Sequence, residues 1–188
     1  MYMEAYTIGL GQMMLCAVLS GCHGAGGFSP ADAITIARSG SFELDMTPDA
    51  ALPLFTAPGE KLWIDHWDPV ILSGDGFGAG TVFVTAHHGH TTYWHVVDYD
   101  SEAHHARYVR VTPDVKTGSV DVTLESNGKG GCVVRVTYRL TALSADGKAN
   151  LQEAYNAPKY AEMMKAWRTM ITDHRAQIDD HFGRRPRA

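Results

Sequence analysis

Two periods of apolar spacing divide the chain. Over residues 34–143 apolar side chains return at every second position in a series of short runs; over residues 156–182 they return at every third or fourth. The later pattern puts Tyr160, Met163, Met164, Trp167, Met170, Ile171, His174 and Ile178 on one side of a helix. Lys159, Glu162, Lys165, Arg168, Asp173 and Arg175 fall on the opposite side, facing water. Asn156 is placed to cap this long helix with Pro158 in its first turn, and Gly183 and Pro186 end it.

The earlier pattern predicts strands. A first one covers residues 34–46, with a bulge or bend at Ser39 and Gly40. Thr47, Pro48 and Asp49 open a short helix, which Pro53 and Pro58 interrupt. An aromatic loop at 58–69, a short strand at 70–72 and a glycine-rich turn at 74–80 follow. Residues 81–87, 91–99, 107–112, 119–125 and 133–143 then read as an antiparallel meander, its last two strands joined by the hairpin sequence 126–131. Residues 151–155 suggest a preliminary helical turn. Val120, Val122 and Leu124 oppose Asp121, Thr123 and Glu125, and Val134, Val136, Tyr138 and Leu140 oppose Arg135, Thr137 and Arg139. Such a sheet has one dry face. One amphipathic helix and one half-dry sheet bury their apolar faces most simply against each other, which predicts an α+β domain with the helix across the sheet.

Composition adds limits. At 188 residues, 45% hydrophobic and 20% charged, the chain fits a single globular domain. A formal charge of −5 argues against broad nucleic-acid binding. The one dense basic run, Arg184, Arg185 and Arg187 in the tail 183–188, reads as a solvated terminus. Of the cysteines, Cys16 and Cys22 lie near the start and Cys132 stands alone in the strand region, so no disulfide framework or cysteine zinc site is expected.

Residues 1–22 resemble a signal peptide whose apolar core is too short to span a bilayer. Leu19-Ser20-Gly21-Cys22 matches the lipobox of bacterial lipoprotein precursors, in which Cys22 would carry lipid, with 23–32 as a flexible tether. Against this, no Lys or Arg precedes the apolar core and Glu4 does. Two expectations stay open: a lipid anchor in the cell envelope, or a misassigned start codon before a cytoplasmic domain. Any membrane contact is expected only through Cys22.

The element order resembles the helix-grip fold of the START-like (SRPBCC) superfamily, which includes the birch-pollen-allergen, polyketide cyclase and lipid-transfer families. The stretch from Pro48 to Phe55 resembles the family's first helix. Glu60-Lys61-Leu62-Trp63 with Trp67-Asp68-Pro69 is similar to the Glu-x-x-Trp…Trp-x-Pro stretch of many bacterial members, and Gly80-Thr81-Val82-Phe83 and Trp94-x-Val96-x-Asp98-Tyr99 to the strands that follow. The resemblance covers residues 33–182. It implies a curved antiparallel sheet wrapped around the long C-terminal helix, short helices after the first strand, and an apolar cavity between them. It carries over no named catalytic residue.

The expected cavity wall takes Met163, Met164, Trp167, Met170 and His174 from the helix, and Tyr93, His95, Val109, Val122, Val136 and Tyr138 from the sheet. Trp63 and Trp67 cap one end of the core or gate the pocket mouth, with Glu60 bonding loop amides. A solid core without a pocket is the alternative. His95 or His174, paired with Tyr93 or Tyr138, are the candidate acid–base groups; the alternative is a core histidine bonded to a carbonyl. His87, His88 and His90 lie at one strand end and His104 and His105 at the other, roughly 25 Å apart, so they cannot share a metal ion. The glycine run lacks the Lys-Ser/Thr ending of a phosphate loop. No cofactor is expected. The reading is non-catalytic binding or transport of a small-to-medium hydrophobic molecule: lipid, isoprenoid, polyketide or aromatic. A cyclase-like or hydrolase-like enzyme and a partner-binding domain with a filled core are the alternatives, and the sequence leaves the oligomeric state open.

Overall fold

The computed structural model describes Ser29 and residues 33–87 and 89–183. The leader with Cys22, most of the tether, His88 and the tail beyond Gly183 lie outside the described residues. The first strand, β1 (Thr35–Leu44), leads into α1 (Pro48–Ala51), a 3-10 turn (Leu52–Phe55) and α2 (Ala57–Glu60). Six strands follow: β2 (Val70–Ser73), β3 (Val82–His87), β4 (His90–Asp100), β5 (His105–Thr112), β6 (Lys116–Ser126) and β7 (Cys132–Ala142). The chain closes with α3 (Ala145–Ala154), α4 (Ala157–Asp173) and α5 (Arg175–Gly183). The seven strands form one curved antiparallel sheet in the order β1-β7-β6-β5-β4-β3-β2, with β1 and β2 as its edges.

Capping chemistry sets the short helices. The Thr47 hydroxyl accepts from Ala50 N at 3.4 Å, and that of Thr56 accepts from Gly59 N at 3.1 Å while donating to Pro53 O at 2.7 Å. Gly59 lets α2 fold back on the turn before it: a Cβ there would stand 1.9 Å from Pro53 O. This tight return brings Glu60 and the aromatic loop over the sheet. The 3-10 turn's carbonyls are then taken up from both sides, Leu54 O by the Trp63 indole at 2.8 Å and Phe55 O by the Tyr108 hydroxyl at 2.7 Å.

Three expectations about the frame change. No bulge interrupts β1, where Gly40 pairs regularly with Val136. Its glycine serves packing instead, because a Cβ would fall 2.6 Å from Met164 Cγ and 3.1 Å from Tyr160 Cε1. The preliminary turn at 151–155 is the end of a full helix, α3, capped by Ser144. The long helix is two helices, α4 capped by Asn156 as expected, then a break at His174 before α5. There the His174 amide makes a last helical bond to Met170 O at 3.1 Å, and its ring Nδ1 meets the same oxygen at 2.8 Å, so the side chain caps the end of α4. Tyr160, Met164 and Ile171 of α4 and Ile178 of α5 are buried on the sheet side. Among the described residues no helix is long and apolar enough to cross a membrane.

Candidate functional site

An inner cavity of about 130 Å³ lies between the concave sheet face and the segment that carries α2 and the aromatic loop. Phe55, Ala57, Glu60, Ile64 and Trp67 roof it, and Trp167 of α4 closes one side. Its floor is Phe83, Trp94, Tyr108, Arg110, Val120, Val122 and Tyr138. An outer chamber of about 310 Å³ shares Ile64, Trp67, Trp94 and Arg110 with it and extends past Thr92 to Lys116 and Tyr155, with Asp65, His66, Asp68 and His87 also on its wall. A larger space of about 550 Å³ between β1 and α4 is an open groove edged by Arg38, Glu43, Lys165 and Arg168. The inner cavity is smaller, but it combines aromatic walls with a few inward polar groups, the composition of a ligand site.

Aromatic packing shapes the walls. Trp94 stacks on Phe83 with ring centres 5.7 Å apart and meets Trp67 edge-on at 6.3 Å. Trp63 meets Phe55 and Trp167 at 6.1 and 5.5 Å. Two indoles also donate hydrogen bonds, that of Trp67 to Ala57 O at 2.9 Å and that of Trp94 to Thr85 Oγ1 at 3.0 Å.

Glu60, Tyr108, Arg110 and Tyr138 bring titratable side chains to the inner cavity, and Lys116 lies on the outer chamber. Burial pushes the Glu60 carboxyl up to about 8, with the charge of Arg110 acting in the opposite direction. Glu60 accepts no side-chain hydrogen bond from loop amides, contrary to the sequence expectation; its carboxyl belongs to the cavity wall. The Arg110 guanidinium lies 4.4 Å from the centre of the Trp94 ring. Its Nη2 makes long contacts to Thr92 and Thr112 Oγ1 at 3.4 and 3.5 Å, and its buried Nε has no acceptor among the described residues. Lys116 is 8% exposed, and burial followed by the charge of Arg110 lowers its ammonium to about 8. Its Nζ donates to Asn150 Oδ1 and lies 5.0 Å from the centre of the Tyr155 ring. Burial holds the Tyr138 hydroxyl protonated well beyond the usual range.

Of the residues expected at the pocket, Trp67, Val122, Tyr138 and Trp167 line the inner cavity. Tyr93, His95 and Val109 do not. They occupy the outer sheet face, Tyr93 at 47% and Val109 at 39% exposure, with His95 exposed between them. On β4 the inward residues are Thr92, Trp94 and Val96, and Trp94 pairs with Phe83 and Arg110, so the other set turns outward. Trp63 and Val136 are buried in solid core, at 1% and 0% exposure, beside the cavity rather than on it. Met164 packs at Gly40, and Met163 and Met170 are half-buried against the core, so no methionine wall forms. His174 caps α4 on a carbonyl, the alternative weighed for it.

Glu60, Tyr108, Trp94, Arg110 and Lys116 are the site residues that periodicity missed. A signal was available for Arg110: in the run Tyr108-Val109-Arg110-Val111, a charged side chain alternates in phase with a large aromatic one. Among the described residues no group of three or more His, Cys, Asp or Glu side chains is arranged to hold a metal ion.

Comparisons with known proteins agree with this architecture. Norcoclaurine synthase from Thalictrum flavum superposes with a TM-score of 0.56 at 16% identity, over 87% of this chain and 100% of that one. Ginseng major latex-like protein 151 from Panax ginseng gives 0.55 at 15% identity, over 75% and 97%. Ara h 8.0201 gives 0.51 at 14% identity, over 74% and 99%. No family model matches the sequence, and no curated protein matches it. The chain therefore shares the helix-grip fold of these solved structures, and the likeness is one of fold.

Proposed function

We propose that this domain binds a small apolar or aromatic molecule non-covalently in the inner cavity. The observation that carries the reading is the cavity itself, aromatic on most sides and holding a few fixed polar groups. A space of about 130 Å³ opening on one of about 310 Å³ suits one or two rings, or a short chain, better than a long acyl chain. A Thalictrum flavum norcoclaurine synthase of the same fold was solved with dopamine and hydroxybenzaldehyde, which supports a ligand of that size. Transport or sensing of such a compound, tethered to the cell envelope through Cys22, completes the proposal. Native mass spectrometry of the intact protein tests it: a co-purified small molecule and an acylated N-terminal cysteine are expected. An empty protein into which no apolar dye enters would leave only a partner-binding role.

One observation favours a second reading, that of an enzyme. Burial moves Glu60 up and Lys116 down to about 8, one on the inner cavity and one on the outer chamber that adjoins it, a range in which such groups transfer protons. The proton-moving pair would be these two, since His95 lies outside and His174 is engaged by a carbonyl. Conversion of a bound compound by the natural chain, lost in Glu60→Gln while binding is retained, would favour it over the carrier.

A further inference from the structure

We propose that the ligand is an amphipathic monocarboxylic acid, its ring or short chain against Phe83, Val120 and Val122 and its carboxylate on Arg110, with Lys116 as the second cation of the same chamber. This rests on the reading of the cavity as a ligand site and adds the charge of the ligand.

Arg110 is a cation without a counter-ion among the described residues. Among the described residues neither Arg110 nor Lys116 takes part in an ion pair. The hydrogen-bond partners of both are neutral: two threonine hydroxyls at long range for Arg110, an asparagine carbonyl for Lys116. The buried Nε of Arg110 has no acceptor among the described residues. A charge taken from water without a partner is costly, and a donor with no acceptor adds to that cost.

The protein's own acid does not relieve it. Glu60 lines the inner cavity but makes no hydrogen bond to Arg110, and burial keeps its proton on through neutral pH. At pH 7 the interior therefore carries a neutral acid and two cations. The remaining acids of the outer chamber, Asp65 and Asp68, are exposed, and Asp68 is taken by Lys61 at 2.9 Å. An incoming carboxylate supplies what is missing. It accepts from the Arg110 guanidinium, while the aromatic walls take the apolar body. The order of the chambers fixes the polarity of the molecule: Arg110 lies on both, the valines only on the inner one, and Lys116 only on the outer.

Three probes with one ring and one chain length test this by calorimetry at pH 7: 3-phenylpropanoate, 3-phenylpropan-1-ol and 3-phenylpropylamine. The acid is expected to bind about tenfold or more tightly than the alcohol, and the amine more weakly than either. Arg110→Met should abolish the preference, so that acid and alcohol bind alike to that variant. Lys116→Met, which keeps Arg110 on Trp94, should remove part of the preference and stands in if the first variant fails to fold. Equal binding of acid and alcohol, or a preference for the amine, overturns the proposal and leaves the cavity reading standing. A preference for the acid that survives both substitutions overturns the assignment to these residues. Failure of all three probes to bind overturns the cavity reading along with it.

Discussion

The guanidinium of Arg110 and the indole of Trp94 face each other at 4.4 Å, across the boundary between the two chambers. Trp94 is held in turn by Phe83, Trp67 and the Thr85 hydroxyl. The cation is thus fixed on an aromatic surface that is itself part of the core, and the site is stiff where its charge sits. Trp94→Ala removes this platform. A loss of about 3 kcal/mol in urea denaturation is expected, together with weaker binding of the acid probe even where the variant remains folded.

The contact between α4 and β1 depends on the absence of a side chain at Gly40. Gly40→Val places atoms where Met164 Cγ and the Tyr160 ring already are. It should cost about 1–3 kcal/mol. Met164→Ala in the same chain should recover part of that loss, since it opens the same space. A double-mutant cycle by chemical denaturation measures the coupling, and strictly additive effects would contradict the contact.

Glu60 makes stability fall as pH rises. Its ordinary value of 4.5 moves to about 8 in the folded chain, so between these the unfolded chain binds fewer protons than the folded one. The stabilisation is complete below pH 4.5 and is lost as pH climbs through about 8. Relative to Glu60→Gln, the natural chain should lose up to a few kcal/mol across that window. Lys116 works in the opposite sense: its value drops from 10.5 to about 8, so the natural chain should gain on Lys116→Met between these limits. Urea titrations of the three chains at several pH values check both slopes.

His95→Ala should change stability by less than about 0.5 kcal/mol and leave ligand binding intact, because the ring stands on the outer face. His174→Ala should cost about 1 kcal/mol through the lost carbonyl contact, again without an effect on ligand affinity. Denaturation and calorimetry on the two variants check this, and a large loss of binding in either would restore the histidine mechanism.

The seven strands, the Asn156 cap and the inward faces of β6 and β7 were all legible in the sequence, because there polar and apolar residues alternate without ambiguity. β4 was not. Thr92, Trp94 and Val96 on one face and Tyr93, His95 and Val97 on the other are both half apolar, so periodicity does not choose between them; pairing with Phe83 and Arg110 does. The polar centre of the cavity was illegible for a different reason. Glu60 and Arg110 break the rule that inward positions are apolar, and Glu60 reaches the interior only through the tight return at Gly59, a tertiary feature. The helix break also escaped notice, since His174 fits the apolar stripe by spacing while its ring bonds a carbonyl.

The central claim is that an apolar ligand enters between the sheet and the helical roof. Methyl-resolved NMR during titration with 3-phenylpropanoate tests it most directly, because valines line the inner face of β6 and the outer face of its neighbour β5. The account predicts saturable shifts at Val120 and Val122, which line the cavity, and none beyond background at Val109 and Val111 on the outer face. Shifts at Val109 and Val111 with Val120 and Val122 unmoved would contradict it.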